Sequence, residues 1–157
     1  MKNPRFSSVN YKRLIPFLDA VDGTQDKHFK FTHGEYMPLS IENMETTFHG
    51  FPVYGMMHFY TQNGDLMRDP DMTFYVDRES SAIVPMTIQQ DGVPFTKYGT
   101  LYKEVFDEHG ECRRDMLHEL DDFLNTWTRN ILAQGFDPSQ ATQGEVTPEQ
   151  FAASLAE

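Results

Sequence analysis

Residues 55–77 read GMMHFYTQNGDLMRDPDMTFYVD, and the fold is decided here. Gly55 to Thr61 is an aromatic and methionine-rich run. Asn63-Gly64 follows it directly. Beyond, Met72, Phe74 and Val76 alternate with Thr73, Tyr75 and Asp77. Alternation with a period of two marks a strand with two unlike faces. Asn-Gly between two such runs is the strongest short-range hairpin signal, because both residues accept the left-handed backbone that a tight hairpin needs. The stretch therefore predicts two antiparallel strands joined by a tight turn.

Working outward, the same period recurs. Phe29 and Phe31 alternate with Lys30 and Thr32, and Leu39 and Ile41 with Ser40 and Glu42. Ile83–Gln89 and Val93–Tyr102 complete the set. Asp91-Gly92 reads as a second hairpin turn. Arg68-Asp69-Pro70-Asp71 and Arg78-Glu79-Ser80-Ser81 have the composition of turns. No helix-length pattern separates the strands, which argues against parallel βαβ units and for a meander.

Two helices flank this set. Tyr11, Leu14, Leu18 and Val21 repeat at helical spacing from Ser8 onward, with Ser7 or Ser8 as the cap and Pro16 expected to kink or end the helix near Ile15. In residues 115–134, Leu117, Leu120, Phe123, Leu124, Trp127 and Ile131 share one face, and Gly135 stands where a helix stops. The expected fold class is α+β: an antiparallel five- or six-stranded meander sheet with an N-terminal helix and a long C-terminal helix packed on it. Residues 1–136 form a single domain in this reading. Residues 137–157 form a polar tail, with 137–144 as linker and a short helix at 147–156 announced by Thr147-Pro148-Glu149-Gln150.

The chain has 157 residues, 24 acids and 13 bases, for a net charge of −11. The charge is lopsided: residues 104–157 hold 12 acids against 3 bases, a net of −9. This argues against direct nucleic-acid binding, which needs a basic footprint. No apolar run is long enough to span a membrane and no signal peptide is recognisable, so membrane association is not expected. Cys112 is the single cysteine, so no internal disulfide forms and a reducing cytoplasm is the expected compartment.

Catalytic chemistry finds no motif. There is no phosphate-binding loop, nucleophile elbow or dinucleotide fingerprint. His28, His33, His49, His58, His109 and His118 form no pair at zinc-ligand spacing, and Cys112 with His118 is a weak match, so no metal and no cofactor are expected. Asp65, Asp69 and Asp71 lack the pattern of a calcium loop and read as turn residues. Cys112, beside Arg113 and Arg114 near a helix start, has the surroundings of a lowered thiol pKa.

The sharpest feature is acidic. Asp115, Glu119 and Asp122 lie within about 60° of arc on the helix, at 100° per residue. Glu108 and Glu111 stand just upstream. These five are the expected contact residues for a basic protein partner, in the extreme as a mimic of nucleic-acid phosphate. A plain solvated helix face is the alternative. Function therefore divides between a non-enzymatic binding or accessory protein and an enzyme whose site assembles from dispersed His and carboxylate residues.

The stretch Phe106-Asp107-Glu108-His109, the helix through Leu120-Asp121-Asp122-Phe123-Leu124-Asn125-Thr126-Trp127, and Leu132-Ala133-Gln134-Gly135 together resemble the C-terminal end of YqiB-like bacterial proteins. Arg13-Leu14-Ile15-Pro16 and Met72-Thr73-Phe74-Tyr75-Val76-Asp77 are similar to two further segments of that family. The resemblance covers roughly residues 10–136, in the same order. It extends to a related domain of unknown function found in phage and plasmid-type proteins. The resemblance implies a fold class, and the binding or accessory reading includes carriage on a mobile element. The resemblance implies no activity and no catalytic residue.

Overall fold

The computed structural model describes residues 8–94 and 99–144. The helix expected at 147–156, the lead-in 1–7 and part of the expected strand 93–102 lie outside the described residues.

The chain runs through α1 (Val9–Asp22), β1 (His28–Phe31), β2 (Leu39–Phe48), β3 (Phe51–Gln62), β4 (Asp65–Asp77), β5 (Ala82–Asp91), β6 (Thr100–Glu104), α2 (Arg114–Ala133) and α3 (Ser139–Gly144). The six strands form one antiparallel sheet in sequence order, the expected α+β meander. Asn63 and Gly64 have φ of 53° and 83°, both left-handed, and place Gln62 opposite Asp65. His49 and Gly50 repeat the device between β2 and β3, with φ of 50° and 84°. Asp91-Gly92 does not make a two-residue hairpin. A longer loop joins β5 to β6, closed by the Val93 N–H donating to Gly99 O at 3.0 Å.

Arg68-Asp69-Pro70-Asp71 is not a turn either. It lies inside β4, where the Asp69–Pro70 bond is cis. Met57 faces Asp71 but Phe59 faces Arg68, so Asp69 and Pro70 together oppose His58 alone. Proline lacks the N–H that a ladder uses, and a bulge is where a sheet tolerates it.

Pro16 also departs from expectation. The helix runs past it to Asp22, with Leu14, Phe17, Leu18 and Val21 all at most 1% exposed. An interior proline costs about 3 kcal/mol, and burying four large apolar side chains at about 1.5–3 kcal/mol each outweighs it. Ser8 is the cap residue but makes no side-chain cap bond.

Helices α1 and α2 pack on each other and on the sheet, α1 against β2 and β5, α2 against β5. Their apolar stripes close over Ile41, Met56, Met72, Phe74 and Ile88. Trp127 is 6% exposed, as the periodicity predicts. Asn10, Arg13, Asn125 and Thr128 stitch the two helices together: Arg13 Nη1 donates to Asn125 O at 2.9 Å and to Asn125 Oδ1 at 2.7 Å, and Thr128 Oγ1 donates to Asn10 Oδ1 at 2.9 Å. On the opposite sheet face Tyr75 stacks with Phe51 and Phe48 at ring distances of 5.3 and 5.7 Å, beside Phe106.

The segment read as linker, 137–144, contains α3, which packs against α1 and β1. Ala141 is buried, and the Gln140 carboxamide pairs with the backbone just past β1. It accepts from the Thr32 N–H at 3.0 Å and donates to the Thr32 carbonyl at 2.6 Å. Phe136, next to Gly135 with its φ of 89°, is 4% exposed.

Candidate interaction surface and a buried histidine

The acidic residues sit on the first half of α2 and on the hydrogen-bonded loop before it. Loop 105–113 is closed by the Asp107 N–H to Glu111 O at 2.9 Å and the Arg113 N–H to Val105 O at 2.7 Å. The Asp107 carboxylate accepts the N–H groups of His109 and Glu111 at 2.8 and 2.9 Å, an Asx turn that holds the loop from within. Glu108, Glu111, Asp115, Glu119 and Asp122 are all exposed. Asp115 lies in the first turn of α2, where the helix dipole favours a negative charge.

The surface is not uniformly negative. Glu119 pairs with Lys103 of β6, and Glu104 with Arg113 at 3.5 Å. Glu108 stands 3.4 Å from the exposed His109 ring. Among the described residues, the carboxylates of Glu111, Asp115 and Asp122 have no cationic partner. Asp121, beside them, is half-buried, and burial, reinforced by Asp122, raises its pKa above the ordinary aspartate value. Cys112 is exposed, but its pKa is raised by local burial, which outweighs the opposing pull of Arg114. The adjacent arginines therefore do not activate the thiol as the sequence suggested.

Two other polar clusters serve the fold. Tyr54 Oη donates to Asp22 Oδ2 at 2.6 Å, Asn43 Nδ2 donates to Asp22 Oδ1 at 3.0 Å, and Arg78 reaches Asp19 at 2.7 Å. This ties the end of α1 to β2, β3 and the β4–β5 turn. Asp91 accepts from the Arg68 N–H at 2.9 Å, Arg68 Nε at 3.0 Å and Thr100 Oγ1 at 3.1 Å, anchoring the base of the β5–β6 loop. These bonds hold Asp91 below the ordinary carboxylate value against the opposing effect of burial.

The most buried histidine is His58. The ring is 6% exposed, and its neighbours are Trp127 of α2 and Phe136, at ring distances of 5.5 and 5.7 Å. Its Nδ1 lies 3.2 Å from the Pro38 carbonyl, which can only accept, so Nδ1 carries the hydrogen and Nε2 is bare in the neutral ring. Burial lowers the pKa of His58, opposed by the backbone at Pro38 and Met37 and by Asp69. Asp69 in turn accepts from Gln90 Nε2 at 3.4 Å. The buried Trp127 indole N–H has no acceptor among the described residues. The rings of His33 and Tyr36 lie 6.5 and 6.4 Å from that of Phe136. The other histidines stay apart: His28 shares a bond with Ser40 Oγ at 2.8 Å, and His49 rests on Phe48 in its turn. Among the described residues, no group of three or more His, Cys, Asp or Glu side chains is placed to hold a metal ion. No helix among them is long and apolar enough to cross a membrane.

Comparison with the curated proteins and with the solved structures finds no match. A family match covers residues 10–137, from the first turn of α1 to the residue after Phe136, and so takes in the whole sheet and both long helices. The specific likeness to YqiB-like or phage and plasmid-type proteins is not part of that match. The chain belongs to the family described as a domain of unknown function, DUF6908.

Proposed function

We propose that this domain is a non-enzymatic binding or accessory protein that docks the start of α2 and the preceding loop onto a basic surface of a partner protein. The observation that carries this reading is the trio Glu111, Asp115 and Asp122: exposed carboxylates, without a cationic partner, on the first half of α2 and the hydrogen-bonded loop before it. Charged surfaces of this kind act mainly on encounter rate and orientation. Glu119 and Glu108 flank the trio, and Glu119 contributes less, since it already pairs with Lys103. The reading extends to a phosphate mimic on a mobile element, occupying the groove of a nucleic-acid-binding protein in the cytoplasm. The support is the short spacing of carboxylates along one helix face and the resemblance to phage and plasmid-type proteins.

The test is comparative capture. Wild type and the variant Glu111→Gln/Asp115→Asn/Asp122→Asn are immobilised and exposed to source-cell extract at low salt. A partner retained by wild type, released by moderate salt and lost from the variant supports the proposal. Once purified, that partner should associate with the variant tenfold or more slowly, by loss of steering. An identical set of proteins on both baits contradicts it.

A further inference from the structure

In the C-terminal segment 136–144, α3 packs against α1 and β1 with Ala141 buried, and two larger side chains hold it besides. One is Phe136, seated against His58 at 5.7 Å, and the other is Gln140, clasping the Thr32 backbone. We propose that His58 is a proton-operated latch: adding a proton at Nε2 unseats Phe136 and releases α3 with its clasp on Thr32.

The geometry supplies the reason. Nδ1–H is committed to the Pro38 carbonyl, so an added proton goes to Nε2, on a ring closed in by Trp127 and Phe136. Trp127 has no acceptor to offer, its own N–H being unsatisfied. A buried cation needs a partner or water. The titratable groups facing the ring among the described residues are Asp69 from β4 and, beyond Phe136, His33 and Tyr36. From α2 and from the Met37-Pro38 backbone come only a neutral indole and carbonyls. Burial disfavours the cation more than Asp69 favours it.

The easiest part of this box to move is Phe136, because it belongs to a short segment rather than to the sheet or α2. A protonated His58 gains water when that ring leaves. The Gly135 hinge, at φ 89°, is already in a left-handed conformation, and a Cβ there would come within 3.0 Å of the His33 ring. With Phe136 displaced, α3 keeps only its small contacts, and the Thr32 N–H and carbonyl lose their partner. The released edge beside β1 is then free for pairing with another strand.

The sign follows from linkage. The closed state binds the proton less tightly than the open one, where His58 titrates near its ordinary value of about 6.5. Closure is therefore complete above that value and weakens as pH falls below it. Opening grows by at most about tenfold per pH unit, the limit for one proton.

Trp127 is the single tryptophan and reports on the adjacent ring. The experiment follows its fluorescence, together with hydrogen exchange at the Thr32 amide and across 136–144, from pH 8 to 5. In wild type both should change with one midpoint below about 6.5, while the amides of β3 and β4 stay protected. His58→Gln should abolish both steps with an unchanged far-UV spectrum. Gln140→Ala, which leaves the box untouched, should keep the fluorescence step but exchange rapidly at Thr32 at every pH. His33→Gln should behave as wild type. The proposal is overturned if the exchange step survives in His58→Gln, if it vanishes in His33→Gln, if Thr32 stays protected while the fluorescence changes, or if the whole sheet opens together.

Discussion

Asp121 and Tyr54 show how single side chains tune this domain in opposite directions. Asp121 is half-buried at the α1–α2 contact, and its Oδ1 lies 3.4 Å from Asn10 Nδ2. Burial and Asp122 raise its pKa, so the folded protein holds a proton there more tightly than the unfolded chain does. The ionised form thus costs stability at neutral pH, and the cost disappears as pH falls through the raised value. Asp121→Asn keeps the shape and removes the charge. Thermal unfolding at pH 7 should show a higher midpoint for the variant, with the gain shrinking toward pH 4. A lower midpoint at pH 7 would contradict this. Tyr54 acts the other way. Its hydroxyl, buried and bonded to Asp22 at 2.6 Å, joins β3 to the end of α1. Tyr54→Phe should cost about 1.5–3 kcal/mol in denaturant unfolding, the range for a hydrogen bond to a charged group. A loss below about 0.5 kcal/mol would show that Arg78 and Asn43 hold Asp22 unaided.

At the scale of elements, α2 carries the two-layer arrangement. Trp127→Ala should cost roughly 3–5 kcal/mol, as large aromatic truncations do, and a loss under about 1 kcal/mol would speak against its burial. Trp127→Phe should cost far less, because it keeps most of the buried ring while removing the unsatisfied N–H. Equal losses for the two variants would mean that a phenyl ring does not fill the Trp127 site. The α2 stripe was legible because six apolar residues repeat on one face, and the β3–β4 hairpin because Asn63-Gly64 admits few other conformations. Pro70 misled because a bulge is a property of two strands, and its partner His58 gives no local sign of it. Pro16 misled because the packing that overrides it comes from α2 and the sheet. Asp137–Gly144 looked like linker because its docking rests on one small residue, Ala141, and one carboxamide. That Asp115, Glu119 and Asp122 share a face of α2 was legible for the reason α2 was. The Lys103–Glu119 pair was not, since it depends on where β6 lies against α2. The box around His58 draws on β3, α2 and the chain beyond Gly135, and no sequence spacing joins them.

Over the whole molecule, charge is unevenly placed. A net of −9 in residues 104–157 sits next to a nearly balanced −2 in residues 1–103. If the surface at the start of α2 is a docking site, it should attract cations selectively among all the exposed carboxylates, which include Glu45, Asp65 and Glu79. The most direct test is a nuclear magnetic resonance titration of labelled protein with a short lysine-rich peptide as the probe. Shift changes should concentrate at residues 108–122 and fade as salt shortens the screening length to about 8 Å at physiological ionic strength. They should disappear in Glu111→Gln/Asp115→Asn/Asp122→Asn. Shifts spread evenly over Glu45, Asp65, Glu79 and the α2 acids, or unchanged in the triple variant, would contradict the account and leave these residues as a solvated surface.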